Sequence, residues 1–253
     1  MFIKKYWNMV WEIAVAEFRS KDQGTILGFL WTLIHPLIYF FVLYNLFSKW
    51  MGSHIQDFPL YLIIGIVQWN FFAAGTSNSI NSIVRYGAYV KSVNFPKAIL
   101  VFASVLSTLF SHILELLILI IFWVVIKGNP NLMALWLIPI LILNIYLIIA
   151  ISFILATIGV YFLDINRIWG IFTNIGFFLT PIFYTLELIS PAKRNIILLN
   201  PMTHIIQSSR DILIDGKLFK MNGFIYVFVF SSILLIFGYL AFKKLENHFI
   251  EKI

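Results

Sequence analysis

Residues 132–163 read LMALWLIPILILNIYLIIAISFILATIGVYFL, 32 positions in succession without a charged side chain. A helix needs about 20 mostly apolar residues to cross a hydrocarbon core roughly 30 Å thick, so this stretch predicts a membrane span with length to spare. At 1.5 Å per residue it reaches about 48 Å, which calls for tilt, a kink or projection beyond the bilayer. Pro139 offers a kink, because proline inside a helix removes a backbone hydrogen bond. Working outward, five more stretches qualify: Ile26–Phe47, Phe58–Ile80, Ala98–Ile126, Ile168–Tyr184 and Gly223–Phe242. The fifth in chain order, Ile168–Tyr184, has 17 residues and sits at the short limit. The expected fold is an all-α polytopic membrane protein, with six transmembrane helices in one domain over residues 1–253.

Composition agrees. Hydrophobic residues make up 61% of the chain and charged ones 11%, against about 25% charged in a soluble domain. Mean hydropathy is +0.93. The absence of cysteine excludes a disulfide framework, thiolate catalysis and any Cys-based metal site. A net charge of +7 can signal nucleic acid. Here, however, the basic residues stand between apolar runs, so membrane lipid is the expected partner and nucleic acid is not. Six spans put both termini on one side, and that side collects 11 basic residues against 7. Lys4, Lys5, Arg19, Lys21, Arg85, Lys91, Lys97, Arg167, Lys243, Lys244 and Lys252 form the majority, which places both termini in the cytoplasm. Met1–Lys21 lacks a continuous apolar core, so no cleavable signal peptide is expected there.

Before the first span, Trp7, Val10, Trp11, Ala14, Val15 and Phe18 recur at helical spacing, with Lys4, Lys5, Asn8, Glu12 and Arg19 elsewhere on the wheel. Residues 1–22 therefore predict an interfacial amphipathic helix, acting as a membrane anchor or meeting a cytoplasmic partner as well. Lys21-Asp22-Gln23-Gly24 breaks it. The loop 81–97 carries Arg85, Lys91 and Lys97 and no acid. Ser82–Val90 predicts a short helix there, ended by Asn94 and Pro96, with Tyr86 and Tyr89 as knobs for another protein. In 185–222, apolar Ile196–Leu199 and Ile205, Ile206, Ile212 and Leu213 flank Asn200-Pro201, which predicts two short re-entrant helices.

Polar side chains inside spans are costly and informative. Ser104, Ser107, Thr108, Ser111, His112 and Glu115 make one stripe, either a helix-packing seam or a place where His112 and Glu115 relay protons or touch substrate. The first span presents Thr32, His35 and Tyr39 on one face, beside Pro36. The fifth presents Thr173, Gly176, Phe177, Thr180 and Tyr184, and Gln68, Gly75 and Ser79 lie on the second. Hydroxyls beside aromatic rings suit a sugar chain, although such stripes also serve helix packing. Asp211 and Asp215 stand four apart, a weak pattern for Mg²⁺ with Arg210 adjoining. No Gly-x-x-x-x-Gly-Lys-Ser/Thr loop appears, so this chain binds no ATP by that route, and no hydrolase motif appears either.

Four fragments in order carry a family pattern. They are Lys21-Asp-Gln-Gly-Thr-Ile-Leu-Gly-Phe-Leu-Trp-Thr-Leu-Ile-His-Pro36, Tyr89-Val-Lys-Ser-Val-Asn-Phe-Pro-Lys97, Thr180-Pro-Ile-Phe-Tyr184, and Leu198-Leu-Asn-Pro-Met202 followed by Arg210-Asp211. Over nearly its whole length the chain resembles the membrane subunits of type-two ABC exporters for O-antigen, capsule or teichoic acid, the Wzm-like permeases. The resemblance implies a homodimeric permease of the bacterial inner membrane bound to two ABC ATPase subunits. ATP and Mg would be bound by the partner ATPase, with no cofactor, metal or catalytic residue in this chain. It implies ATPase coupling through Trp7, Trp11, Arg85, Tyr86, Tyr89 and Lys91. A periplasmic gate would carry Asn200, Pro201, Ile205 and Arg210. The channel for lipid-linked polysaccharide would be lined by Thr32, His35, Tyr39, Phe172, Thr173, Phe177, Thr180 and Tyr184. Rival readings are an ABC exporter of a lipid or drug, a proton-coupled flippase using His112 and Glu115, and a membrane transferase using Asp211 and Asp215.

Overall fold

The structure is a computed structural model that describes residues 2–21, 24–25, 27–52, 55–128 and 132–252, without the side chains of residues 2–5. Asp22, Gln23 and Ile26, which belong to the expected break and first-span start, lie outside the described residues, as do the side chains of Lys4 and Lys5. The described residues form helices and connecting loops with no strand: α1 (Phe2–Ser20), α2 (Leu30–Met51), α3 (Phe58–Ile80), α4 (Ser82–Arg85), α5 (Gly87–Ser92) and α6 (Ala98–Lys127). There follow α7 (Leu137–Tyr161), α8 (Ile165–Leu179), α9 (Pro191–Leu198), α10 (Pro201–Leu213), α11 (Met221–Leu245) and α12 (Phe249–Lys252). Five helical stretches are long and apolar enough to cross a membrane: Leu30–Met51, Phe58–Ile80, Ala98–Lys127, Leu132–Tyr161 and Met221–Lys252. The chain is a multi-pass membrane protein.

The spans α2, α6 and α7 pack on α3, which also touches α8 and α10, while α11 packs on α7. Buried residues make up 78% of its most apolar stretch but only 11% of that of α2. Lipid does not drive apolar helices together, so close backbone approach and interhelical hydrogen bonds decide which faces meet. Gln68 of α3 is the clearest case. Its amide nitrogen donates to Ser209 Oγ at 3.1 Å and its oxygen accepts from Asn144 Nδ2 at 3.0 Å, tying α3, α10 and α7 together. Gly75 lies against Ile148 and the Ser79 hydroxyl donates to the Gly75 carbonyl, so this small-and-polar stripe is a packing seam. At the far end of α3 a Cβ on Gly159 would collide with the carbonyl oxygen of Ile80. Gly159→Ala is therefore expected to push α7 off α3 and cost about 1–3 kcal/mol, read as a lowered melting temperature in detergent.

Two sequence expectations change. Pro139 does not kink the fourth span from within. Leu132–Trp136 form a tighter 3₁₀ turn and α7 begins at Leu137, so the proline falls in its first turn, where no N–H partner is missed. The loop helix expected over 82–90 is two short helices, α4 and α5, divided at Tyr86, whose φ of −102° and ψ of 24° are not helical.

The stretch expected as the fifth span is helical only as far as Leu179, the end of the 15-residue α8. Thr180 precedes Pro181 and adopts φ −86° and ψ 140°, the extended conformation that a following proline imposes. The chain then continues along α3. Asn166 Nδ2 donates to Asn81 Oδ1, Trp169 Nε1 to Thr76 Oγ1, and Tyr61 Oη to the Tyr184 carbonyl. Gly176 lies on Trp69, and Ile182 on Gly65. These contacts follow α3 from Asn81 to Tyr61, about 30 Å at helical rise.

Candidate functional site

Three places gather the polar groups that an apolar bundle has to account for. The first is the end of α8. A chain that leaves helical structure among spans exposes carbonyls that lipid cannot satisfy. Here Arg210 satisfies them. It donates from Nη1 to the Pro181 carbonyl at 2.7 Å, and from Nη2 to Ile182 at 2.8 Å and to Tyr61 at 3.0 Å. Its guanidinium carbon lies 3.3 Å from the centre of the Tyr61 ring, and the residue is 3% exposed. Five donors in a planar fork suit this task, and an ammonium group does not.

The short helices leading to Arg210 are closed in the same manner. Asn200 caps α10, its side-chain oxygen accepting from the Met202 N–H at 3.0 Å with Pro201 at the first helical position. Its amide donates to Thr180 Oγ1 at 2.8 Å. Thr203 donates to the Ile197 carbonyl and His204 Nε2 lies 2.8 Å from that of Leu198, so α10 covers the orphan carbonyls of α9. At the other end Trp123 Nε1 donates to the Leu213 carbonyl. Ile205 is buried. The two helices expected around Asn200-Pro201 are thus present. Asp215 lies beyond the end of α10, and no group of three acidic or histidine side chains that could hold a metal occurs among the described residues.

The second place is the aromatic face shared by α2 and α8. His35 and Tyr39 rings lie 4.9 Å apart, Tyr39 meets Phe177 at 6.0 Å, and Phe47 stacks on Phe183 at 4.7 Å. Tyr39 is 43% exposed and Phe172 62% exposed. Thr173, Phe177 and Thr180 are buried, Phe177 between Tyr39 and Trp69. The Thr173 hydroxyl bonds back to Trp169 and Gly170, and Phe177 packs edge-on to Trp69. Tyr184 is partly buried and donates to the Leu179 carbonyl. The eight residues expected to share one lining therefore divide. Thr32, His35, Tyr39, Phe172 and Tyr184 retain exposure, while Thr173, Phe177 and Thr180 hold α8 in place within the single chain.

The third place joins α1 to the loop 81–97. The helix α1 packs on α6, burying Val10, Ala14 and Glu17 and leaving Trp7 and Trp11 largely exposed, although Trp11 stays edge-on to Phe110 of α6 at 5.2 Å. Glu17 is 8% exposed and its Oε1 lies 3.1 Å from Arg85 Nη1, an ion pair outside hydrogen-bonding geometry. Burial raises the Glu17 carboxyl above the ordinary glutamate value, against the pull of the Arg85 charge and the Tyr86 hydroxyl beside it. The Tyr86 phenol is pushed up to about 12 by burial and then by the Glu17 charge, so it stays protonated. Tyr89 and Lys91 are exposed. Glu17 was missed in the sequence, although an acid one turn after Ala14 on the Val10 face marked it.

A cavity of about 410 Å³ also opens between α2, α3 and α6. Thr108, Ser111, His112 and Glu115 of the α6 stripe line it, and there His112 Nδ1 lies 3.2 Å from Glu115 Oε2 while the His112 ring stacks on Phe71 at 4.0 Å.

Comparison with known proteins bears on what these places serve. The chain is 28% identical to an O-antigen export system permease protein RfbA of Klebsiella pneumoniae over 237 residues, covering 93% of this chain and 91% of that protein. It is 24% identical over 251 residues to the RfbA permease of Myxococcus xanthus, covering 98% and 96%. The polysialic acid transport protein KpsM of Escherichia coli is 22% identical over 239 residues, with 91% of each chain covered. Residues 9–214 match the ABC-2 type transporter family model, a span that begins in α1, takes in the three places described above apart from Trp7, and ends just after α10. With that match covering well over half its length, the chain belongs to the ABC-2 type transporter family.

Proposed function

We propose that this chain is the transmembrane subunit of an ATP-driven exporter that moves lipid-linked polysaccharide across the bacterial inner membrane. The observation that carries the reading is its end-to-end similarity to permeases named for O-antigen export and polysialic acid transport. ATP is hydrolysed by two partner ATPase subunits, since this sequence has no phosphate-binding loop. Two copies of the chain enclose the path, and both termini are cytoplasmic.

The contacts of α8 and residues 180–184 along α3, over about 30 Å, support a sixth crossing made of helix plus extended chain. On that topology α9 and α10 form the re-entrant gate at the periplasmic mouth, and Arg210 is the pin that holds the extended segment. The α1 helix lies at the cytoplasmic surface, and α4 and α5 present Arg85, Tyr86, Tyr89 and Lys91 to the ATPase cleft. The Glu17–Arg85 pair supports a rigid link between these two contacts.

A polymer longer than the bilayer needs a continuous path with many weak contacts, and the exposed rings and hydroxyls of α2 and α8 supply them. ATP moves the equilibrium only by binding one state of the complex better than the other. Deleting the gene should abolish surface polysaccharide and leave the polymer inside the cell, and restoring the chain should reverse this. Unchanged surface polysaccharide in the deletion strain would remove the export reading. Tyr39→Ala should slow export about two- to twelvefold while the complex still assembles, as loss of one aromatic contact of about 0.5–1.5 kcal/mol implies. Normal export rates would take Tyr39 off the path.

A further inference from the structure

A second cavity, of about 430 Å³, lies between α6, the 3₁₀ turn Leu132–Trp136 and the start of α7. Ile120, Leu132, Leu135 and Ile138 line it and are exposed, so it opens on the outer surface of the spans, where the bilayer lies. Its two polar side chains among the described residues are both engaged. Gln68 bonds to Ser209 and Asn144, and Trp123 Nε1 donates to the Leu213 carbonyl at 2.9 Å. Water settles in a cavity only where several polar groups hold it, and an apolar cavity of this size stays dry and takes an apolar guest. Left empty, its walls would forfeit dispersion contacts. The turn does not close over it, being held by α10 and by Trp136 edge-on to Phe219 at 6.2 Å.

Depth narrows the guest. The ion pair of Lys127 with Asp57 sets the adjoining ends of α6 and α3 level. From those ends, at helical rise, Leu116 lies about 16 Å along α6 and Gln68 about 15 Å along α3. The cavity therefore reaches about half the depth of a roughly 30 Å hydrocarbon core, which is the depth of one leaflet. A guest of that length, wholly apolar and entering sideways from the bilayer, is a lipid chain. None of the described residues lining the cavity belongs to α2 or α8, so it stands apart from the aromatic face assigned to the glycan, and the surrounding phospholipid is the source.

We propose that this cavity binds one acyl chain of a phospholipid, from the leaflet at the Lys127 end, and that the bound chain steadies α10. Two links hold α10 to the spans at its border: Trp123 to Leu213, from α6, and Gln68 to Ser209, from α3. A chain seated there packs against both. The proposal stands on the membrane fold alone, so its failure leaves the export reading untouched.

The test uses the full-length chain in nanodiscs of phosphatidylethanolamine and phosphatidylglycerol, doped with phosphatidylcholine that carries a photoactivatable diazirine in its acyl chain. Crosslinks are mapped by mass spectrometry, with Ile236 and Phe237 of α11, both exposed, as the ordinary lipid-facing reference. Crosslinks should appear at Trp123 and Leu213 as well as at the reference. Ala134→Leu and Ala134→Phe put a larger side chain into the cavity. They should cut crosslinking at Trp123 and Leu213 about tenfold by removing the chain's dispersion contacts there. Unchanged crosslinks at Ile236 and Phe237 in these variants show that the fold stands. Titrating phospholipid into the detergent-solubilised wild type should slow hydrogen exchange at residues 209–214, and Ala134→Phe should abolish that response. Crosslinks at α11 with none at Trp123 or Leu213 overturn the proposal, as do crosslinks there that both variants leave unchanged. Labelling of the cavity by a diazirine polyprenyl phosphate in preference to the phospholipid overturns it in favour of a carrier site. Exchange at 209–214 that ignores phospholipid overturns the role in steadying α10.

Discussion

Arg210→Leu should cost about 3–5 kcal/mol of stability, lowering the melting temperature of the purified protein on the order of 10 °C. The substitution removes a buried guanidinium whose donors reach the carbonyls of Pro181, Ile182 and Tyr61. Those three acceptors then stand in an apolar bundle with no water to replace the lost bonds, at about 1–3 kcal/mol each before relaxation. The extended segment after α8 is the part that should loosen first, because its conformation forbids satisfying those carbonyls within a helix. Arg210→Lys should recover only a minor share, since a single ammonium cannot reach acceptors on two separate segments in the fork geometry. Hydrogen exchange at 182–186 and on α10 distinguishes this local release from general unfolding. An Arg210→Leu protein that melts with the wild type, and is as protected there, would show that the pin is dispensable.

Arg85→Ala and Glu17→Gln should separate stability from coupling. Arg85→Ala leaves the buried Glu17 carboxylate without its counter-charge and should destabilise by about 1–3 kcal/mol, discounted because Arg85 is half exposed. Glu17→Gln removes a charge that burial already disfavours, so its melting temperature should equal or exceed that of the wild type. The sign follows from linkage. A carboxyl raised by burial binds protons more readily in the folded chain than in the unfolded one, so the folded state gains stability as pH falls from the raised value towards the ordinary glutamate value, and above the raised value the cost of the buried charge is constant. Glu17→Gln should therefore flatten the pH dependence of melting on the acidic side. Both variants cut the link between α1 and α4, and both should lower glycan-stimulated ATP hydrolysis several-fold in the reconstituted complex. Full coupling in both would show that α1 and the loop transmit separately.

The long spans were legible to within a few residues. Phe58–Ile80 coincides with α3, and Ala98–Ile126 stops one residue short of α6. The first span is displaced, with α2 running from Leu30 to Met51, because apolar content does not mark a helix start where no capping side chain is used. The helix of the fifth expected span ends early, at Leu179. Thr180-Pro181 signalled the break, but apolar content alone continued through Tyr184. The site was legible in part. Asn200-Pro201 named a helix start, and Tyr39 and Phe177 were assigned to faces that do meet. The α8 stripe predicts one exposed lining, whereas Thr173, Phe177 and Thr180 are buried against the rest of the chain. A small polar residue suits a packed seam and a wet wall equally, and only its neighbour decides between them.

By itself the sequence determined that this chain lives in a membrane, where its long apolar stretches lie, and that it carries no phosphate-binding loop for ATP. Those properties are sums over contiguous residues, and solvent transfer reads them locally. The tertiary structure alone decided that Arg210 serves carbonyls 28 and 149 residues away, that Gln68 joins three helices, and that Glu17 faces Arg85. Each of these is a pairing of polar groups across distant segments. In a low-dielectric interior such groups must find partners, but the identity of the partner is set by the packing of helices rather than by spacing along the chain.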